Sequence, residues 1–145
     1  MDTTFISLYQ RFEALGRAQV IANLLARPGF ANPQPTTDPY ARADLFIDSP
    51  AGRVAIEVKM RSALYPSGQL IEEDKLQALL AIRAAGQADW CYYANVIGQD
   101  VYYWLIDERA LELPLYTKVL PRTTAEAKGG RPKQYRLLPL TLAIR

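Results

Sequence analysis

The sequence contains no histidine. That removes a Ser-His-Asp or Cys-His relay and any histidine-ligated zinc. Its one cysteine, Cys91, excludes an internal disulfide and a cysteine metal site. A bound metal would need oxygen ligands alone, which favours magnesium or manganese. No hydrophobic run approaches the length of a membrane span. The opening Met-Asp-Thr-Thr-Phe lacks the basic and apolar segments of a signal peptide. The expected location is therefore the cytoplasm, with no membrane partner. Excess charge is also scarce: a net charge of +2 does not announce nucleic acid by itself. Internal repeats, low-complexity tracts and glycine-rich phosphate loops are missing.

The remaining composition is that of a folded domain. Half the residues are hydrophobic and 22% are charged, which argues against disorder, and 145 residues suit one domain with a real core. Phe5 to about Arg27 is expected to be a helix, with Phe5, Leu8, Phe12, Leu15, Ala22 and Leu25 inward and Pro28-Gly29 as its stop. Gln19 falls on that stripe, and Glu13 with Arg17 has the spacing of a surface pair. Phe30 to Arg42 is proline-rich and expected to be a loop.

Ala43 to Met60 carries the chemistry. Ala43 to Asp48 is short and apolar with Asp44 near its start, and Ser49-Pro50-Ala51-Gly52-Arg53 supplies a turn. Val54 to Met60 follows as a strand that places Glu57 and Lys59 on one face, opposite Val54, Ile56, Val58 and Met60. A hairpin brings Asp44 beside them. Crowding two carboxylates is costly unless a cation lies between them. Asp44 and Glu57 are the candidate ligands, with the backbone carbonyl of Val58 between Glu57 and Lys59 as a third. The Lys59 amine can orient a water or stabilise developing charge. Such a set suits magnesium-assisted hydrolysis of a phosphodiester.

Downstream, Leu70 to Ala85 is an amphipathic helix, with Leu76, Leu79, Leu80 and Ile82 inward and Glu72, Glu73 and Asp74 at its start. Trp90 to Val96 and Val101 to Ile106 form aromatic-rich strands joined by a tight turn. Asp107 to Leu113 is expected to be a short helix. From Lys118 to Arg136 the chain turns basic and irregular. Lys118, Arg122, Lys128, Arg131, Lys133 and Arg136, together with Arg61, are candidate contacts to a nucleic-acid backbone. Tyr135 to Leu140 is expected to close the sheet edge.

Asp44 followed by Glu57-Val58-Lys59 resembles the PD-(D/E)xK nuclease superfamily, with Ala43 in place of the leading proline. Within it, the small Holliday-junction-resolvase-like and VRR-type nucleases are the most similar. Their first helix carries a Gly-x-Ala-Glu frame; here Gly16-Arg17-Ala18-Gln19 matches it with glutamine for glutamate. Their second helix presents a Gln or Lys, for which Lys75 is the better candidate and Gln69 the other. The resemblance spans roughly residues 8 to 106. It implies an α/β, restriction-endonuclease-like fold in which a mixed central sheet is flanked by helices. A single nuclease-like domain would fill 1–145, with a core over about 5–106 and a basic loop and closing strand over 114–145. The implied activity is that of a Mg2+-dependent endodeoxyribonuclease, with Mn2+ as substitute. Asp44, Glu57 and Lys59 would be catalytic and Gln19 and Lys75 auxiliary. DNA, branched DNA included, is the implied substrate; a homodimer would suit symmetric cutting, and a larger DNA-processing partner is compatible. The rival expectations are a nucleic-acid-binding module that keeps the scaffold without chemistry, and an unrelated α/β domain with the triplet on its surface.

Overall fold

The computed structural model describes residues 3–36, 38, 41–120 and 131–145. The chain opens with helix α1 (Thr3–Leu25), followed by β1 (Ala31–Pro35), β2 (Leu45–Ser49) and β3 (Gly52–Met60). Then come β4 (Gln69–Glu72), α2 (Glu73–Ala84), β5 (Trp90–Ile97), β6 (Asp100–Leu105), β7 (Leu115–Leu120) and β8 (Arg131–Leu138). The central sheet has the order β1-β2-β3-β5-β6, and only β3 and β5 run parallel. The α/β architecture with a mixed sheet flanked by helices is the expected one.

Strand alternation sorts the core into two layers. On one side, Val20 and Leu24 of α1 pack with Ile47, Val54, Ile56 and Val96. On the other, Leu76, Leu79 and Ile82 of α2 pack with Ala55, Cys91, Tyr93 and Trp104. The parallel β3–β5 pair requires a crossover, and α2 lies within it.

The inward face of α1 differs from the expected one. Gly16, Val20 and Leu24 are buried, whereas Phe12 and Leu15 are more than half exposed and Ala22 and Leu25 also face outward. The cause is Gly16: a Cβ there would meet Met60 Cγ at 3.0 Å, so the helix seats its glycine on β3. That contact rotates the stripe. The side chains of Phe5 and Leu8 lie outside the described residues.

In three stretches, strands replace expected irregular or helical backbone. Ala31–Pro35 pairs antiparallel with β2 instead of looping, and its prolines are tolerated because β1 is an edge strand with an irregular register. Gln69–Glu72 forms β4, so α2 begins at Glu73 and not at Leu70. Gln69 and Ile71 are buried in strand alternation there, which overrides the helical pattern. The supposedly irregular basic stretch contributes β7 and β8, which pair antiparallel with each other. β8 also pairs with β4, making a second sheet in the order β4-β8-β7. Tyr135 to Leu140 therefore does not close the central sheet; β8 spans Arg131–Leu138 in the second sheet. The expected short helix after Asp107 is a 3-10 helix over Glu108–Glu112, capped by Asp107, whose carboxylate accepts from the Arg109 amide at 3.0 Å.

Candidate active site

The Ser49–Gly52 turn sets the register of the β2–β3 hairpin. Ser49 Oγ donates to the Gly52 carbonyl at 2.7 Å and accepts from the Ala51 amide at 3.2 Å. Leu45 then pairs with Ile56, so Asp44 comes next to Glu57. The Asp44 amide donates to the Ile56 carbonyl at 3.0 Å, and Asp44 Oδ2 accepts from the Val58 amide at 2.8 Å. Beyond Ile56, β3 has no β2 partner. A strand residue directs its N–H and C=O to the same side. The Val58 carbonyl thus faces the open edge that Asp44 occupies.

Glu57 is only 8% exposed, and α2 brings Lys75 Nζ to 3.4 Å from its Oε1. Burial pushes the Glu57 carboxyl up to about 7, and the Asp44 carboxylate adds to the rise while Lys75 opposes it. Burial works against the Lys75 ammonium, but Glu57, Asp44 and Glu72 outweigh it and hold its pKa above the usual lysine value. Two carboxyls are therefore held together against their mutual repulsion, with one of them inclined to keep a proton. Oxygen donors crowded in this way suit a cation. Among the described residues no set of three or more acidic, histidine or cysteine side chains converges. Asp44, Glu57 and the Val58 carbonyl would leave a magnesium-sized ion with open positions for water or substrate.

Lys59 is exposed and shares a cleft of about 70 Å³ with Asp44, Val58, Met60, Phe12, Glu13 and Arg17. The last three come from α1 and were not expected at a site. Among the described residues Glu13 and Arg17 form no ion pair with each other. They flank the cleft instead. The signal for this was Gly16: once the buried stripe is Gly16-Val20-Leu24, Glu13 and Arg17 fall beside it, one helical step from β3.

Other candidates lie apart from this cluster. Gln19 Nε2 donates to the Gly98 carbonyl at 2.6 Å, in the β5–β6 turn. Gln69 is 1% exposed; it donates to the Ala63 carbonyl and Asn95 Oδ1 and accepts from the Tyr65 amide, a structural network. Arg61 does not extend into solvent: its Nη2 donates to the Leu70 carbonyl at 2.8 Å and to the Tyr93 hydroxyl at 3.1 Å. Arg136 also departs from the expected backbone-contact role. It forms a two-pronged pair with Glu73, at 2.7 and 3.1 Å, and donates to the Leu111 and Leu113 carbonyls. Lys133 lies 3.5 Å from Glu72, while Lys118 is exposed on β7. Arg131 opens β8, with its side chain outside the described residues, as are Arg122 and Lys128 entirely. No helix among the described residues is long and apolar enough to cross a membrane.

A solved structure shares the fold of this chain. It is that of Hjc from Archaeoglobus fulgidus, a Holliday junction resolvase from an archaeal hyperthermophile. The match covers 89% of each chain with a TM-score of 0.55 and 16% identity. The chain has a resolvase-type fold. The fold agrees with the one that the resemblance of Asp44, Glu57 and Lys59 implies. No family model matches the sequence, and no curated protein does either.

Proposed function

We propose that this chain is a metal-dependent endonuclease that hydrolyses DNA phosphodiester bonds, with branched DNA among its substrates. The observation that supports the reading is Asp44 beside Glu57 at the open end of β3, with Lys59 in the same cleft as Asp44, within a resolvase-type fold. Asp44, Glu57 and the Val58 carbonyl would hold Mg2+, or Mn2+ in its place. The ion would supply charge neutralisation at the phosphate and a more acidic water. Lys59, exposed beside Asp44, is positioned to orient the attacking water and to stabilise charge on the phosphate. Lys75 holds the Glu57 carboxylate in place. Glu13 and Arg17 form the α1 wall of the cleft, where the guanidinium can meet a phosphate oxygen. Gln19 acts on the β5–β6 turn rather than at the metal.

Lys118 on β7 and Lys133 on β8 would meet the DNA backbone, and Arg122, Lys128 and Arg131 are proposed as further contacts from the sequence. One domain of this kind has a single cutting site, so symmetric incision of a junction asks for two copies. The setting would be the cytoplasm, where a larger DNA-processing partner could direct the enzyme to its substrate. One observation favours the rival reading of an inactive binding module. Lys75 already sits on Glu57, and a protonated Glu57 is a poor ligand. Incubation with duplex, single-stranded, flap and four-way-junction DNA in Mg2+ and Mn2+ separates the two. Cutting of at least one substrate, lost in EDTA, is expected; binding without cutting in either metal would establish the module instead.

A further inference from the structure

Beyond the cleft at Lys59 lies a second, larger one, of about 700 Å³, between the 61–68 segment and the second sheet. Met60 borders both clefts, so the two adjoin. Its walls carry three tyrosines, Tyr65, Tyr116 and Tyr135, and two cations, Arg61 and Lys118. None of its lining residues is acidic. Tyr65 is 53% exposed and Tyr116 43%, unusual for side chains whose rings gain from burial.

Tyr135 differs from these two. It is 3% exposed, and its hydroxyl finds no hydrogen-bond partner among the described residues. A buried hydroxyl left in that state is costly, and a ligand that meets it recovers the loss. Arg61 is fixed by its bonds to the Leu70 carbonyl and the Tyr93 hydroxyl, so its charge is held at the wall at little entropic cost on binding.

Flat aromatic faces together with fixed positive charge, and without acids, select a planar ring carrying phosphate. The volume falls within the range for a small ligand and is ample for one nucleotide. A base inside a duplex is stacked between its neighbours and cannot present both faces to tyrosines. We propose that this cleft receives an unpaired nucleotide adjoining the phosphate at Lys59, with Tyr65 and Tyr116 as its stacking surfaces. The inference rests on the nuclease reading and names its substrate class: DNA with a single-stranded nucleotide next to the cut, as at a flap or an opened branch. Such stacking is sequence-tolerant, because every base has a π-face.

The test uses the whole chain in EDTA, so that no probe is cut. The probes are a fluorescein-labelled duplex and the same duplex with a single-stranded overhang. A fluorescent adenine analogue is placed at each overhang position in turn. The overhang probe is expected to bind about tenfold tighter than the duplex, with the analogue quenched at one position near the branch. Tyr65→Ala and Tyr116→Ala should each lose about tenfold for the overhang probe and leave duplex affinity unchanged. Tyr135→Phe should lose several-fold while melting no lower than wild type, because it removes only an unpaired hydroxyl. An abasic residue at the quenched position, tested on the wild type, should reproduce the tyrosine losses without any variant having to fold. Equal affinity for the two probes, or tyrosine variants and abasic probes that bind like the originals, would overturn the proposal. Cleavage in Mg2+ is scored separately. Cutting without a tyrosine effect removes the cleft and spares the nuclease. Quenching without any cutting removes the nuclease and leaves a nucleotide-binding cleft.

Discussion

Replacing Glu57 by glutamine should make the protein more stable at neutral pH, although it removes a proposed ligand. Glu57 is buried beside Asp44, and its carboxyl is raised from 4.5 to about 7. Between those values the folded chain keeps the Glu57 proton that the unfolded chain has released. The folded state then binds more protons, so stability falls as pH rises through this window. The contribution of the protonated carboxyl is complete below about 4.5 and gone above about 7. At about 1.4 kcal/mol per tenfold in proton affinity, the ionised carboxylate costs the fold up to about 3 kcal/mol. Relaxation around Lys75 lowers this, so a gain of about 1–3 kcal/mol is expected for Glu57→Gln above neutrality. The amide keeps the shape and an oxygen for Lys75. Urea unfolding of both proteins, from below pH 4.5 to above pH 7, measures the difference profile. The two curves should diverge progressively across that window, with the variant above. Added Mg2+ should then raise the wild type more than the variant. Parallel curves, or a variant less stable at neutral pH, would refute the electrostatic reasoning.

Two further substitutions separate structure from chemistry. Arg136→Ala should lower stability by about 3 kcal/mol in urea unfolding, because it strands the half-buried Glu73 and two carbonyls. The Arg136 guanidinium holds the Glu73 carboxyl below the usual range, so the wild type's share of this stability is lost as pH falls below about 4.5. Gln19→Ala removes a hydrogen bond to Gly98 worth about 1 kcal/mol and should leave DNA cleavage in Mg2+ within about twofold of wild type. A loss of cleavage as large as that of an Asp44 variant would return Gln19 to the site.

The candidate site was drawn from a local pattern, and much of the fold around it was harder to read. Asp44, Glu57 and Lys59 could be placed because period-two alternation and one turn decide which side chains share a face. Lys75 was placed by its distance from Gly86, the helix stop, and α2 brings it to 3.4 Å from Glu57. The α1 stripe was misjudged because hydrophobicity outvoted Gly16, whose lack of a side chain decides how the helix docks. β1 was hidden by proline, and β4 by its four-residue length before a strong helix pattern. Arg136 was taken for a phosphate contact from charge alone. Its partner Glu73 is distant in sequence, and only tertiary packing reveals that this guanidinium is already paired. Arg61 is held by neutral partners, the Leu70 carbonyl and the Tyr93 hydroxyl, which fix its position without neutralising its charge.

The central claim is that Asp44, Glu57 and Lys59 form a hydrolytic site, and Lys59→Ala tests it most directly. Lys59 is exposed and makes no ion pair among the described residues, so its removal should change stability by no more than about 0.5 kcal/mol. Cleavage of flap or junction DNA in Mg2+ should nevertheless fall by at least about a hundredfold, with DNA affinity largely retained. A Lys59→Ala protein that folds normally and cuts at the wild-type rate would contradict the account.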